Sequence, residues 1–92
     1  LNRQILAAIQ KLSDAFFKFE DYINSIDCLQ LGLEVNNQSE QLYRKLMECH
    51  IAIGNHAEAG QVYQQASKII EGDLGLSLSS QTQALYQTIQ AR

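Results

Sequence analysis

The 92 residues of this chain suffice for one small domain and not for two, and with 46% hydrophobic residues the composition is too apolar for a disordered segment. Seven Lys and Arg against ten Asp and Glu leave a net charge of -3. That excludes the clustered basic face that binding to a phosphate backbone requires, so this segment is expected to make no direct contact with nucleic acid.

No apolar run approaches the roughly 18 residues that span a bilayer. No basic start leads into an apolar stretch and a small-residue cleavage site, so nothing reads as a signal peptide. Cys28 and Cys49 read as reduced, buried thiols, and the expectation is a cytoplasmic protein with no membrane contact. The chain opens on Leu1 rather than Met, from which a fragment of a longer protein is expected.

There is no proline and there are five glycines, so few positions interrupt a helical hydrogen-bond ladder. Apolar residues at Ile5, Ile9, Leu12, Phe16 and Phe19 step by four and three and trace one stripe of a first helix. A second helix, capped by Asp21, carries Tyr22, Ile26, Leu29 and Leu33 and ends at Asn36 and Asn37. Asn37 with Glu40 three residues on predicts the start of a third helix, with the stripe Leu42, Leu46, Cys49 and Ile53 and a left-handed end at Gly54. Asn55 with Glu58 predicts a fourth helix bearing Val62, Tyr63, Ala66, Ile69 and Ile70, stopped by Gly72. Residues 73–79 have no helical period and read as an ordered loop. Ser80 with Gln83 then caps a last helix that carries Leu85, Tyr86 and Ile89. No alternating run of strand length occurs, so the helices should pair as antiparallel hairpins joined by short turns.

A 34-residue frame laid at Leu6 and again at Glu40 aligns Leu12 with Leu46, Phe16 with His50, Tyr22 with His56, Ser25 with Ala59, Leu29 with Tyr63 and Gly32 with Ala66. That is the period of the tetratricopeptide (TPR) helix-turn-helix. The second copy has Gly54 at the turn and Ala59 and Ala66 at the small positions where paired helices approach closely. The first is degenerate, with Glu20 at the turn. The expected fold is all-α: a TPR-like, right-handed array of two helix hairpins, residues 6–39 and 40–73, with a closing helix at about 80–91, forming one domain over 1–92.

The C-terminal half sharpens the reading. Leu42 to Ile53, then Gly54-Asn55-His56-Ala57-Glu58-Ala59, Tyr63, Asp73-Leu74-Gly75-Leu76 and Ser79-Ser80-Gln81-Thr82-Gln83-Ala84-Leu85-Tyr86 together resemble the bacterial transcriptional activator domain. That family shows a "G-x-x-x-E-A" turn, an "E-L-G" loop and a closing "P-S-x-x-T-x-x-L-Y". The resemblance covers about residues 1–90, and the chain departs from it at Leu78, where proline is usual. It implies a domain that follows a winged helix-turn-helix DNA-binding domain and acts in transcription regulation and signal transduction. Its partners would be proteins: its own DNA-binding domain, a second protomer in a homodimer, or the transcription machinery. A generic TPR adaptor segment of a signalling or scaffolding protein is the alternative. A helical appendage to an enzyme is a third.

No residues suggest catalysis. Cys49 and His50 are adjacent, about 100° apart on a helix, and cannot form a nucleophile–base pair. Cys28, Cys49, His50 and His56 lack the paired spacing of a zinc site, and no Gly-rich phosphate loop is present. No enzyme, cofactor or metal is expected; His50 reads as a core residue and His56 as a turn residue. Asp14 and Lys18, four apart, can pair on the surface.

The candidate site is a groove. TPR resemblance implies a concave face formed by the first helix of each repeat, which here carries Ala7, Gln10, Asp14, Phe17 and Lys18, then Gln41, Arg44, Glu48, Ile51 and Ala52. Phe17 and Ile51 lie off the core stripes and can anchor an apolar partner segment. TPR clamps that grip a C-terminal carboxylate use Lys and Asn where this chain has Gln10 and Asp14, and an aspartate repels a carboxylate.

Overall fold

A computed structural model describes residues 2–91, and every regular element among them is helical: α1 (Asn2–Lys18), α2 (Tyr22–Val35), α3 (Glu40–Ala52), α4 (His56–Ala66) and α5 (Ser80–Gln90). A wide π-helical turn, Ser67–Asp73, prolongs α4. Each helix packs on the next, and α5 folds back onto both α3 and α4. The assembly measures 34 × 30 × 17 Å. Its thinnest dimension holds about two helix diameters, as a stack of hairpins requires. The fold is the expected all-α, TPR-like array.

The middle helix, α3, holds the core. Leu42, Tyr43, Leu46, Met47, Cys49 and His50 are all buried, so α3 is covered on more than one face. Sequence periodicity marks only one of those faces, and Tyr43 and Met47 lie off it. Tyr43 keeps its hydroxyl satisfied by donating to Asn37 O at 2.6 Å.

Small residues let the helices approach. A Cβ on Gly32 would stand 3.1 Å from Leu42 Cδ1 and 3.3 Å from Ile9 Cγ2, so α2 meets α1 and α3 there only because it has no side chain. Ser25, buried, donates to Ser13 O on α1 at 2.9 Å and accepts from Cys49 Sγ on α3 at 3.5 Å. One hydroxyl thus ties three helices. Ala59 and Ala66 are the fully buried small residues of α4.

The turn between α1 and α2 recurs 34 residues later between α3 and α4. Asp21 N donates to Phe16 O at 2.8 Å and Asn55 N to His50 O at 2.7 Å; Glu20 N donates to Phe17 O at 2.9 Å and Gly54 N to Ile51 O at 3.0 Å. Both closing residues are left-handed, at φ 62 for Glu20 and φ 77 for Gly54. Gly54 adopts that conformation freely, whereas Glu20 does so against its Cβ.

Several local expectations are corrected. Of the first stripe, Ile5, Leu12 and Phe19 stand in solvent at 40%, 51% and 81% exposure. The face that α2 covers is centred on Ile9 and Ser13, flanked by half-buried Leu6 and Phe16. Ile53, at the end of the α3 stripe, is also exposed. Helix α3 starts at Glu40, capped by Ser39, which accepts from Leu42 N at 3.4 Å; Asn37 and Glu40 form no capping box. Asn55 precedes α4 without a side-chain cap bond. Gly72 does not stop α4, because the ladder widens to bonds such as Leu74 N to Ile69 O at 3.1 Å, and the left-handed glycine is Gly75. Ser79 caps α5 in place of Ser80, accepting from Thr82 N at 3.4 Å.

Glu20→Gly should stabilise the fold by about 0.5–1 kcal/mol, since it removes the left-handed Cβ clash and costs only backbone freedom. The exposed Glu20 side chain gives up no burial. A thermal melt should rise by about 2–8 °C; an unchanged or lower midpoint would contradict the strain at this turn.

Candidate protein-interaction groove

The side of the array where α3 and α5 meet is built around one carboxylate. Glu40, the first residue of α3, accepts through Oε2 from Ser79 N at 2.8 Å and from Thr82 Oγ1 at 2.6 Å. Thr82 is fully buried, and its hydroxyl also accepts from Arg44 Nη1 at 3.5 Å. The carboxylate therefore lies at the N-terminal ends of two helices, where helix dipoles favour negative charge. Burial alone would raise the Glu40 pKa, but hydrogen bonds from Ser79 and Thr82, with the charge of Arg44, outweigh it and hold the pKa below its ordinary value of 4.5.

Two further contacts seat α5. The rings of Tyr63 and Tyr86 stack with centroids 3.9 Å apart and planes 4° from parallel, and Gln64 Nε2 donates to Tyr86 Oη at 3.3 Å. Leu78 is buried in the core ahead of the helix, and its N–H points to Glu71 Oε2 at 3.5 Å, a donor that proline would lack.

Arg44 and Glu48 of α3 face Gln81, Ala84, Leu85 and Thr88 of α5 across an open cleft of 380 Å³. The α5 half of this groove has no counterpart in the sequence expectation, which draws on the first helix of each repeat alone. Gln41 is exposed one turn before Arg44, and Ile51 is half-buried one turn after Glu48.

The α1 half is arranged differently. Asp14 pairs not with Lys18 but with Lys45 Nζ of α3, at 3.0 Å. Phe17 packs edge-on against Tyr22 at 5.2 Å, leaving its ring partly exposed, while Lys18 projects into solvent and Gln10 is half-buried. The structure thus joins Arg44 and Glu48 in one cleft and places Asp14 beside α3. Gln10, Phe17 and Lys18 do not line that cleft.

Neither thiol is poised as a nucleophile. Burial pushes both Cys49 and Cys28 up from the ordinary thiol value, with Asp27 adding to the effect at Cys28, so both remain protonated near neutrality. The groove has apolar surface at Ala84 and Leu85 bordered by one cation, one anion and hydrogen-bonding side chains.

The sequence profile of the bacterial transcriptional activator domain matches residues 1–90. This chain belongs to that family. Comparison with curated proteins and with solved structures finds no match. Within the bacterial transcriptional activator domain, the closing "S-x-x-T-x-x-L-Y" pattern has a physical meaning here. Ser79 caps α5, Thr82 hydrogen-bonds Glu40, Leu85 packs against the core and Tyr86 stacks on Tyr63. The residues that carry the family signature are the residues that dock the last helix.

Thr82→Val should cost about 1.5–3 kcal/mol at neutral pH, because it removes a hydrogen bond to a charged group and leaves Glu40 short of a donor. With a depressed folded-state pKa, Glu40 contributes stability fully present above pH 4.5 and lost as pH falls through the lower folded value. Urea unfolding at pH 7 and near pH 3 should show a smaller acid loss in the variant than in the parent. Equal acid losses would mean that Thr82 does not set the state of Glu40.

Proposed function

We propose that this domain is a protein–protein interaction and regulatory domain of a bacterial transcription regulator, acting in activation or dimerisation without catalytic chemistry of its own. The family match over residues 1–90 carries the reading. Its partners are proteins: the DNA-binding domain of the same regulator, a second protomer, or the transcription machinery. It works in the cytoplasm as a step in signal transduction, and it leaves nucleic-acid contact to other parts of the regulator, in keeping with its net charge of -3. No described helix is long and apolar enough to cross a membrane.

Two surface features support a protein partner. The α3–α5 cleft offers an apolar floor with charged borders, suited to a side chain of a partner segment. Elsewhere on the array, Ile5, Leu12 and Phe19 of α1 lie in solvent, as does Leu31 of α2. Stacked hairpins bury such surface against a neighbour, so an apolar outer edge is a surface built to be covered.

The test is a reporter assay in the full-length regulator carrying Ala84→Arg, which fills the cleft from an exposed position. Melting temperature and operator binding should stay at the parent level while activation drops about tenfold, equivalent to about 1.4 kcal/mol of lost contact. Full activation by a folded variant would remove the groove from the function.

A further inference from the structure

A second cleft opens on another side of α3, between α2 and α4, and shares no residue with the α3–α5 groove. It encloses 320 Å³ and is lined by Leu33, Leu46 and Val62, by the carboxylates Glu34 and Glu58, by the amides Gln30, Gln61 and Gln65, and by His50. That volume is within the range of small-ligand sites. No Lys or Arg lines the cleft among the described residues. The charge of the cleft is therefore wholly negative, with one carboxylate from α2 and the other from α4.

His50 marks the same cleft. The residue is 8% exposed and lines this cleft, and its Nδ1 is buried with no hydrogen-bond partner among the described residues. A buried nitrogen left without a partner costs about 1–3 kcal/mol. The fold does not require that cost: one repeat earlier, 34 residues away, the equivalent position is Phe16, an aromatic ring with no polar atom. The second repeat has a polar ring where the first has an apolar one, in a cleft bordered by carboxylates.

We propose that the α2–α4 cleft binds an organic cation with an aliphatic stem, an alkylguanidinium or alkylammonium group. The stem covers Leu33, Leu46 and Val62, the head lies between Glu34 and Glu58, and its N–H donors are shared among the carboxylates, the glutamine carbonyls and the imidazole. An anion would meet two carboxylates and no cation. A metal ion is disfavoured, because among the described residues no three His, Cys, Asp or Glu side chains gather closely enough to hold one. The site is separate from the α3–α5 groove and does not depend on it.

Protonation state follows from the same geometry. Burial lowers the His50 pKa below 6.5, and the facing Glu58 opposes this in part. The ring is thus neutral near pH 7 and does not repel a cation; Glu34 of α2 is the other charged group lining the cleft. A cation seated on Glu58 removes the field that favours imidazolium, so binding should move the His50 titration to lower pH, and protonation of His50 should weaken binding.

The experiment is an NMR titration of the isotopically labelled 92-residue chain with agmatine and, separately, with a short arginine-containing peptide, with sodium acetate as an ionic-strength control. Saturable shifts confined to Gln30, Glu34, His50, Glu58, Gln61 and Gln65 are expected, with a downward move of the His50 ring titration. Glu34→Gln and Glu58→Gln, both at exposed positions, should each weaken binding about tenfold. His50→Phe, which copies the residue at the equivalent position of the first repeat, should keep the fold and weaken binding as well. Saturation by agmatine assigns the site to a free small cation, and saturation by the peptide alone assigns it to an arginine side chain of a partner; both support the proposal. No saturable shift with either probe, or equal affinity in Glu58→Gln, would overturn it.

Discussion

The carboxylate of Glu40 is the point at which the closing helix is tied to the stack of hairpins. The α1–α2 and α3–α4 turns share one geometry, and such a stack could continue with another hairpin. Beyond α4 the chain instead makes a widened turn, a loop that buries Leu78, and a single helix whose N-terminus is tied to the start of α3 through Ser79 and Thr82. Charge-assisted hydrogen bonds of this kind are about twice as strong as neutral ones. Here two of them meet a group already favoured by two helix dipoles. The tie forms α5's side of the groove and fixes where Gln81, Ala84, Leu85 and Thr88 face Arg44 and Glu48.

The two ends of the stack differ in consequence. At the C-terminal end, Tyr86 stacked on Tyr63 and the buried Leu78 and Thr82 seal the second hairpin. On the other side, Leu12 and Phe19 of α1 stand in solvent. A closed end and an open apolar edge give the domain a direction.

How far the amino-acid sequence discloses this depends on the range of the interaction. Helices are legible because a 3.6-residue period needs only local order, and the recurrence of the Glu20 turn at Gly54 is legible because the repeat imposes the same backbone twice. Errors arise where a residue has two possible uses. Glu40 has the spacing of a local cap for α3, yet its hydrogen bonds go to residues 39 and 42 positions away, which no local pattern can register. Ser79 and Ser80 both precede a plausible first turn, and only the burial of Thr82 selects Ser79. Helix α1 carries more apolar surface than one neighbour can cover, so the stripe through Leu12 and Phe19 competes with the face at Ile9 and Ser13. Close approach at Ser25 decides between them. The groove is half visible in the sequence: Arg44 and Glu48 come from the TPR frame, whereas the α5 residues come only from the fold-back, and Lys45 enters only through its pairing with Asp14.

Coupling between Glu40 and Thr82 holds the last helix in place, and a double-mutant cycle measures it directly. Unfolding free energies of Glu40→Ala, Thr82→Ala and the double variant, taken at pH 7, should give a coupling of about 1.5–3 kcal/mol, since either single change removes the shared bond. Additive losses would show that the Glu40–Thr82 bond does not hold the last helix, and the groove would lose the constraint on which its shape depends.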